Sequence, residues 1–134
     1  MIGTGNIISD GESTAFAQGD GNTASGESSQ ATGHNTEARG RYSHTEGSGT
    51  IAEGEASHAE GRNTEAAAPY SHAEGNQTSV SGESAHAEGN DTTASDDCAH
   101  AEGDSTTASG LCSHSEGNLT TASGDDSHAE GYRT

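Results

Sequence analysis

Seven His-x-Glu pairs recur along this chain: His44/Glu46, His58/Glu60, His72/Glu74, His86/Glu88, His100/Glu102, His114/Glu116 and His128/Glu130. They hold seven of the eight histidines; His34 lies elsewhere in its repeat. An imidazole beside a carboxylate can move a proton, form an ion pair or ligate a metal ion. Acid–base catalysis needs one asymmetric pocket in which two groups are tuned apart. Seven identical pairs make a lattice instead, so the chain reads as non-enzymatic. The His-Glu-x-x-His arrangement of zinc proteases, phosphate loops and nucleophile elbows are all missing from the text.

The elements that position these pairs follow from a second periodicity. Gly5, Gly19, Gly33, Gly47, Gly61, Gly75, Gly89, Gly103, Gly117 and Gly131 stand 14 residues apart, so one small supersecondary unit repeats along the chain. The recurring text is Ser-His-Ala-Glu-Gly-x-x-Thr-x-Ala-Ser-Gly-x-x. Small residues at i, i+2 and i+4 have a period of two, the mark of a strand with one face of tiny side chains. The two residues after each glycine supply a turn. Each unit therefore reads as strand, turn, strand, turn: one coil of an all-β, two-strand parallel β-solenoid. A glycine every seventh residue opposes the competing helical reading.

The small face must look inward. Its alanine column is Ala24, Ala38, Ala52, Ala66, Ala94, Ala108 and Ala122, broken by Val80 and by Asp10 at the irregular start. A threonine column (Thr36, Thr50, Thr64, Thr78, Thr92, Thr106, Thr120) is equally regular. Walls this close admit little beyond Ala, Ser, Thr and Gly without overpacking. Residues 1–134 form one repeat domain, with degenerate coils over 1–33 and regular His-x-Glu coils over 34–134. Ten coils are separated by nine spacings of about 4.8 Å, a rod of about 43 Å. On the outer side, the second strand drifts through Thr23, Glu37, Ile51, Glu65, Ser79, Thr93, Thr107 and Thr121, while the His-x-Glu face stays fixed. A face held fixed has something packed against it.

Composition excludes several partners. Only 25% of the residues are apolar and the net charge is −18, so without its periodicity the chain would read as disordered. Four Lys+Arg against 22 Asp+Glu leave no basic stripe for nucleic acid or for an anionic membrane surface. No apolar run reaches the length of a bilayer span. Met1-Ile2-Gly3-Thr4-Gly5 lacks the charged start and apolar stretch of a signal peptide. Repeat text continues to Gly131 and stops at Thr134 without a polar cap, as expected of a segment of something longer.

The repeated Ser-x-Ala-x-Gly units at a 14-residue period resemble the head repeats of YadA-like trimeric autotransporter adhesins, the haemagglutinin-type repeats, over the whole chain. The Ser-His-Ala-Glu-Gly text resembles a polar variant of these repeats, of the kind in Gram-positive and phage-encoded fibre proteins. The resemblance implies a left-handed parallel β-roll that trimerises about a threefold axis and attaches to host surfaces or matrix proteins. It also implies that the positions held here by His and Glu, aliphatic in the family, face that axis. Only the first coils keep anything apolar there, Ile2 and Phe16, followed by Gln18, Gln30 and Thr32.

Isolated buried carboxylates at such an axis would be costly. Three arrangements relieve them. Glu of one copy can bond His of the next, water can fill the axis, or the three His of one layer can hold a metal ion. Ion pairing, ranked first, would raise the folded His pKa values and place maximum stability at mildly acidic pH. No cofactor is otherwise expected.

Other signals are weaker. Thr93-x-Ser95, Thr107-x-Ser109 and Thr121-x-Ser123 form an outer hydroxyl array, which keeps a monomeric ice- or surface-binding solenoid as an alternative; Glu37, Arg39, Glu53 and Glu65 interrupt its columns. Three Asn-x-Thr acceptor patterns, at Asn76, Asn90 and Asn118, are generated by the repeat itself. Asp96, Asp97, Asp125 and Asp126 lack calcium-repeat spacing and read as solvated turns. Cys98 and Cys112 occupy one column of adjacent coils, within disulfide reach, but their parallel side chains favour free thiols. The sequence thus points to an extracellular, cell-surface or virion-associated fibre segment with adhesive or purely structural work.

Overall fold

The computed structural model describes residues 2–9 and 14–134. It is an all-β parallel solenoid of about nine turns, with no helix among the described residues. Each coil contributes one strand to each of two sheets. The longer strands, beginning with Ile2–Thr4 and Phe16–Asp20 and ending with His128–Tyr132, form a ten-stranded sheet. Two-residue strands, from Ile7–Ile8 to Thr121–Ala122, form the nine-stranded sheet opposite. Every neighbour in a sheet is the coil before or after, always parallel.

From Phe16 onward the paired residues stand 14 apart: Ala17 faces Ala31, and Gly75 faces Gly89. The first step differs. Gly3, not Gly5, lies opposite Gly19, and Ile7-Ile8 lie opposite Thr23-Ala24, so this step is 16 residues long. Gly5 therefore leaves the glycine column in which the 14-residue count places it. A side-chain ladder crosses this step and continues into the next coil. Asn6 donates from Nδ2 to the Gly19 carbonyl and accepts from the Asn22 N–H. Buried Asn22 in turn donates to the Gln18 and Gly33 carbonyls and accepts from both the N–H and the hydroxyl of Thr36. Asn6 and Asn22 thus head the inward threonine column. Asp10, placed in the alanine column by the same count, lies outside the described residues; Ile8 occupies that register against Ala24.

The core is the small-residue seam between the sheets. The alanines at 24, 38, 52, 66, 94, 108 and 122 are buried, and Val80 is the largest fully buried side chain. The threonines of the adjacent column are buried as well. Backbone pairing continues around the corners, where the Gln77 N–H donates to the Arg62 carbonyl and the Tyr70 N–H to the Glu55 carbonyl. This pairing satisfies the backbone along the rod despite the meagre apolar core.

Two positive-φ conformations recur, one within the long strands and one at the corners. Gly75 has φ +115°, and a Cβ there would stand 2.0 Å from the Gly89 carbonyl oxygen. No side chain fits, which is why this column admits only glycine. The second conformation is left-handed and carried by ordinary residues, among them Tyr70, Cys98, Cys112 and Leu119 with φ of 51–59°. That run of strained non-glycine turns is a feature the sequence text does not announce.

Candidate functional site: a histidine–glutamate ladder

In each regular coil the His opens the long strand and the Glu is its third residue, as in His72–Asn76. The residue between them points the other way: Ala59, Ala73, Ala87 and Ala101 are fully buried. Alternation therefore aims His and Glu together away from the core. Parallel pairing then sets His44 against His58 and Glu46 against Glu60, and likewise His72 against His86 and Glu74 against Glu88. The columns run on through His100 and His114 to His128, and through Glu102 and Glu116 to Glu130. All fourteen residues singled out from the sequence lie on this one sheet face. Gln30 and Thr32, then Phe16 and Gln18, continue the two columns upward. Ile2 falls opposite Gln18, in the glutamate column, and so is not in line with Phe16. His34 is apart, at the fifth residue of its strand, 3.8 Å from Asp20.

The imidazoles stack into a continuous column with ring centroids 4.7–4.9 Å apart. That separation is the interstrand spacing itself, about 4.8 Å. Within each strand His Nε2 stands close to Glu Oε2, from 3.5 Å at His58–Glu60 to 3.8 Å at His44–Glu46. These distances lie at or beyond the limit of a hydrogen bond. The Nε2 atoms of His44, His58, His72, His86, His100 and His114 are buried and have no hydrogen-bond partner. Six polar atoms in one row are sealed from solvent by their own neighbours and left unsatisfied, whereas buried polar groups are ordinarily bonded.

The two columns differ in burial, although the sequence reading treats His and Glu alike as residues of a buried axis. In the single chain the glutamates stay open: 58% of the Glu46 side chain and 47% of the Glu60 side chain are exposed, against 36% and 37% for His44 and His58. The cause is charge. Flat rings cover one another, whereas carboxylates placed directly opposite, as Glu46 is to Glu60, repel and keep their water. Glu46 and Glu60 are therefore not buried within one chain, and neither closes a short ion pair with the histidine of its own strand.

Electrostatics follow from the stacking. Burial first, then the neighbouring imidazoles, hold His58 and His86 below the usual histidine pKa, against an opposing pull from Glu60 on His58 and from Glu88 and Glu74 on His86. Ion pairing of these residues would push the other way, so within the single chain the direction is the reverse of that expectation. At His58 and His86 the neutral imidazole is favoured. A neutral ring keeps one N–H donor and one lone pair.

Among the described residues, the other row of orphaned polar atoms is the hydroxyls of Thr50, Thr64, Thr78, Thr92 and Thr106, which lie inside the seam and face no outer surface. Elsewhere several exposed polar groups pair with one another. Arg39 bridges Glu37 and Glu53, and Arg41 meets Glu27 of the preceding coil. Asp104 accepts from Asn90 and Asn118 at 2.6 Å each, closing a polar corner ladder. Cys98 and Cys112 are free thiols on the exposed side. No family model matches the chain, and no curated protein is similar to it.

Proposed function

We propose that the chain is a non-enzymatic, trimeric fibre segment whose His–Glu face is the surface on which three copies meet. The observation that carries this is the row of six buried Nε2 atoms without hydrogen-bond partners. A second copy of the same chain, brought against the face about a threefold axis, supplies a glutamate at every layer to accept from the imidazole of its neighbour. The half-open carboxylates of Glu46, Glu60 and their successors are free to do so. Neutral His donating to Glu⁻ removes the orphaned polar atoms and leaves the carboxylate bonded, which is the condition for burying it.

The resemblance to YadA-like adhesin heads agrees with this arrangement and adds the finer geometry: a left-handed roll, 14 residues per coil, with these columns at the axis. As a trimer the rod is stiff, acidic and free of basic patches. It suits display at a cell surface or on a virion, where it spaces other parts from their base and contacts a host or matrix ligand. The partner is the chain itself; nucleic acid and membrane are disfavoured by the net charge of −18.

Sedimentation equilibrium with and without a chelator tests the assembly. Three times the 13.3 kDa chain mass, unchanged by chelator, is the expected result. A monomer at all concentrations contradicts it.

A further inference from the structure

We propose that the C-terminal end of the ladder binds one divalent transition-metal ion per chain, held between adjacent coils and anchored by His114. Two donor sets converge there, His100 with Glu102 and His114, and His114 with Glu116 and His128. In each set the three ligand atoms lie within 4.8 Å of one another. Among the described residues no other group of three His, Cys, Asp or Glu comes so close. Both sets require His114, so they exclude one another and the chain takes a single ion.

The donor spacing fits coordination better than it fits hydrogen bonding. His100–Glu102 is 3.7 Å, His114–Glu116 3.6 Å and His128–Glu130 3.7 Å. Two ligands about 2.0–2.2 Å from a tetrahedral zinc stand roughly 3.3–3.6 Å apart. The pairs are therefore set close to the edge length of a coordination polyhedron. Within one chain His100 and His114 Nε2 are buried and without a hydrogen-bond partner; in the coil that holds it, the ion takes the place a neighbouring copy's glutamate fills elsewhere along the ladder.

Closing the set requires one ring to swing. The last ring is the one that can: His114 and His128 are tilted by 32°, against 3° for His100 and His114. His128 is also the most exposed of the seven, at 54% of its side chain. Two imidazoles and one carboxylate select zinc, copper or nickel over calcium or magnesium, which prefer all-oxygen shells. A fourth position is left for water. This site lies between coils of one chain and does not need three copies to meet in a layer.

Zinc titration by calorimetry on the intact chain tests the proposal, with mass recorded in the same buffer. The chain and its His34→Gln variant, altered off the ladder, should each take one Zn²⁺ per chain. His114→Gln should weaken binding at least about tenfold, since loss of even a supporting partner costs that much. Glutamine is a change the fold already carries, because Gln30 stands in the histidine column opposite His44. The double variant Glu102→Gln/Glu116→Gln should weaken binding as well, with the stacked rings left in place. No zinc uptake, equal affinity in His114→Gln, or one ion per three chains would each overturn it.

Discussion

His72 and His86, fourteen residues apart in the chain, stack with ring centroids 4.7 Å apart and planes 5° from parallel. A proton on His86 would place a cation against its neighbour. His86 is faced on both sides, by His72 and His100, and its opposing attraction comes from Glu88 and Glu74.

A pH dependence follows from that stacking. His58 and His86 are held below the ordinary value of 6.5, so the unfolded chain takes up protons more readily than the folded one. Their contribution is complete above about pH 6.5 and is lost as pH falls below it. Urea midpoints measured from about pH 8 to about pH 5 should be flat and then decline. His58→Gln/His86→Gln should shrink the decline. A midpoint that rises on acidification would mean charged, ion-paired histidines instead.

The seam between the sheets sets a strict size limit. Ala108 is fully buried, and the largest side chain accepted along the seam is Val80. Ala108→Leu should cost about 1–3 kcal/mol or more by overpacking. Thr107→Leu, on the outer side of the same strand, should stay within about 0.5 kcal/mol. Paired chemical denaturation curves for the two variants check the contrast.

Gly75→Ala should be more damaging than either. Its Cβ would meet the backbone oxygen of Gly89 at 2.0 Å, and its φ of +115° is hostile to any side chain. Backbone and packing strain together should cost at least about 3 kcal/mol, read as lost cooperativity or a collapsed melting temperature.

The left-handed corners offer the opposite sign. Leu119 is exposed with φ +57°, where leucine is strained and asparagine is tolerated. Asn35 and Asn63 hold that conformation in other coils. Leu119→Asn should stabilise the rod by about 0.5–1 kcal/mol, visible in the denaturation midpoint.

Much of this architecture could be read from residue types alone, because tiny side chains at alternate positions leave the backbone few choices. The Ala24-to-Ala122 column and the outward His-x-Glu pairs are direct consequences of period-two alternation. The first coil is different. Counting by 14 reaches Gly5 and hides the better match of Gly3-Thr4-Gly5-Asn6 to Gly19-Asp20-Gly21-Asn22, which stand 16 apart. Asn6 and Asn22 were the available signal, since the two are alike in the repeat and stand 16 apart. The unequal burial of His44 and His58 against Glu46 and Glu60 was not legible, because alternation assigns a face and not a depth. Nor was the downward direction of the His58 and His86 pKa shifts, which comes first from burial and then from the neighbouring rings and outweighs the nearby carboxylates. The left-handed turn residues were also hidden, since Tyr70, Cys98 and Leu119 share no side-chain chemistry; only their places at two positions of the repeat, seven residues apart, make them alike.

The most direct measurement is absolute mass by light scattering behind a sizing column, for the natural chain beside His72→Asp/His86→Asp. The natural chain should elute at three times 13.3 kDa, and the variant as a monomer that keeps its β-sheet circular dichroism. A monomeric natural chain, or a variant that stays trimeric with two carboxylates per chain added to its ladder, would contradict assembly through the His–Glu face.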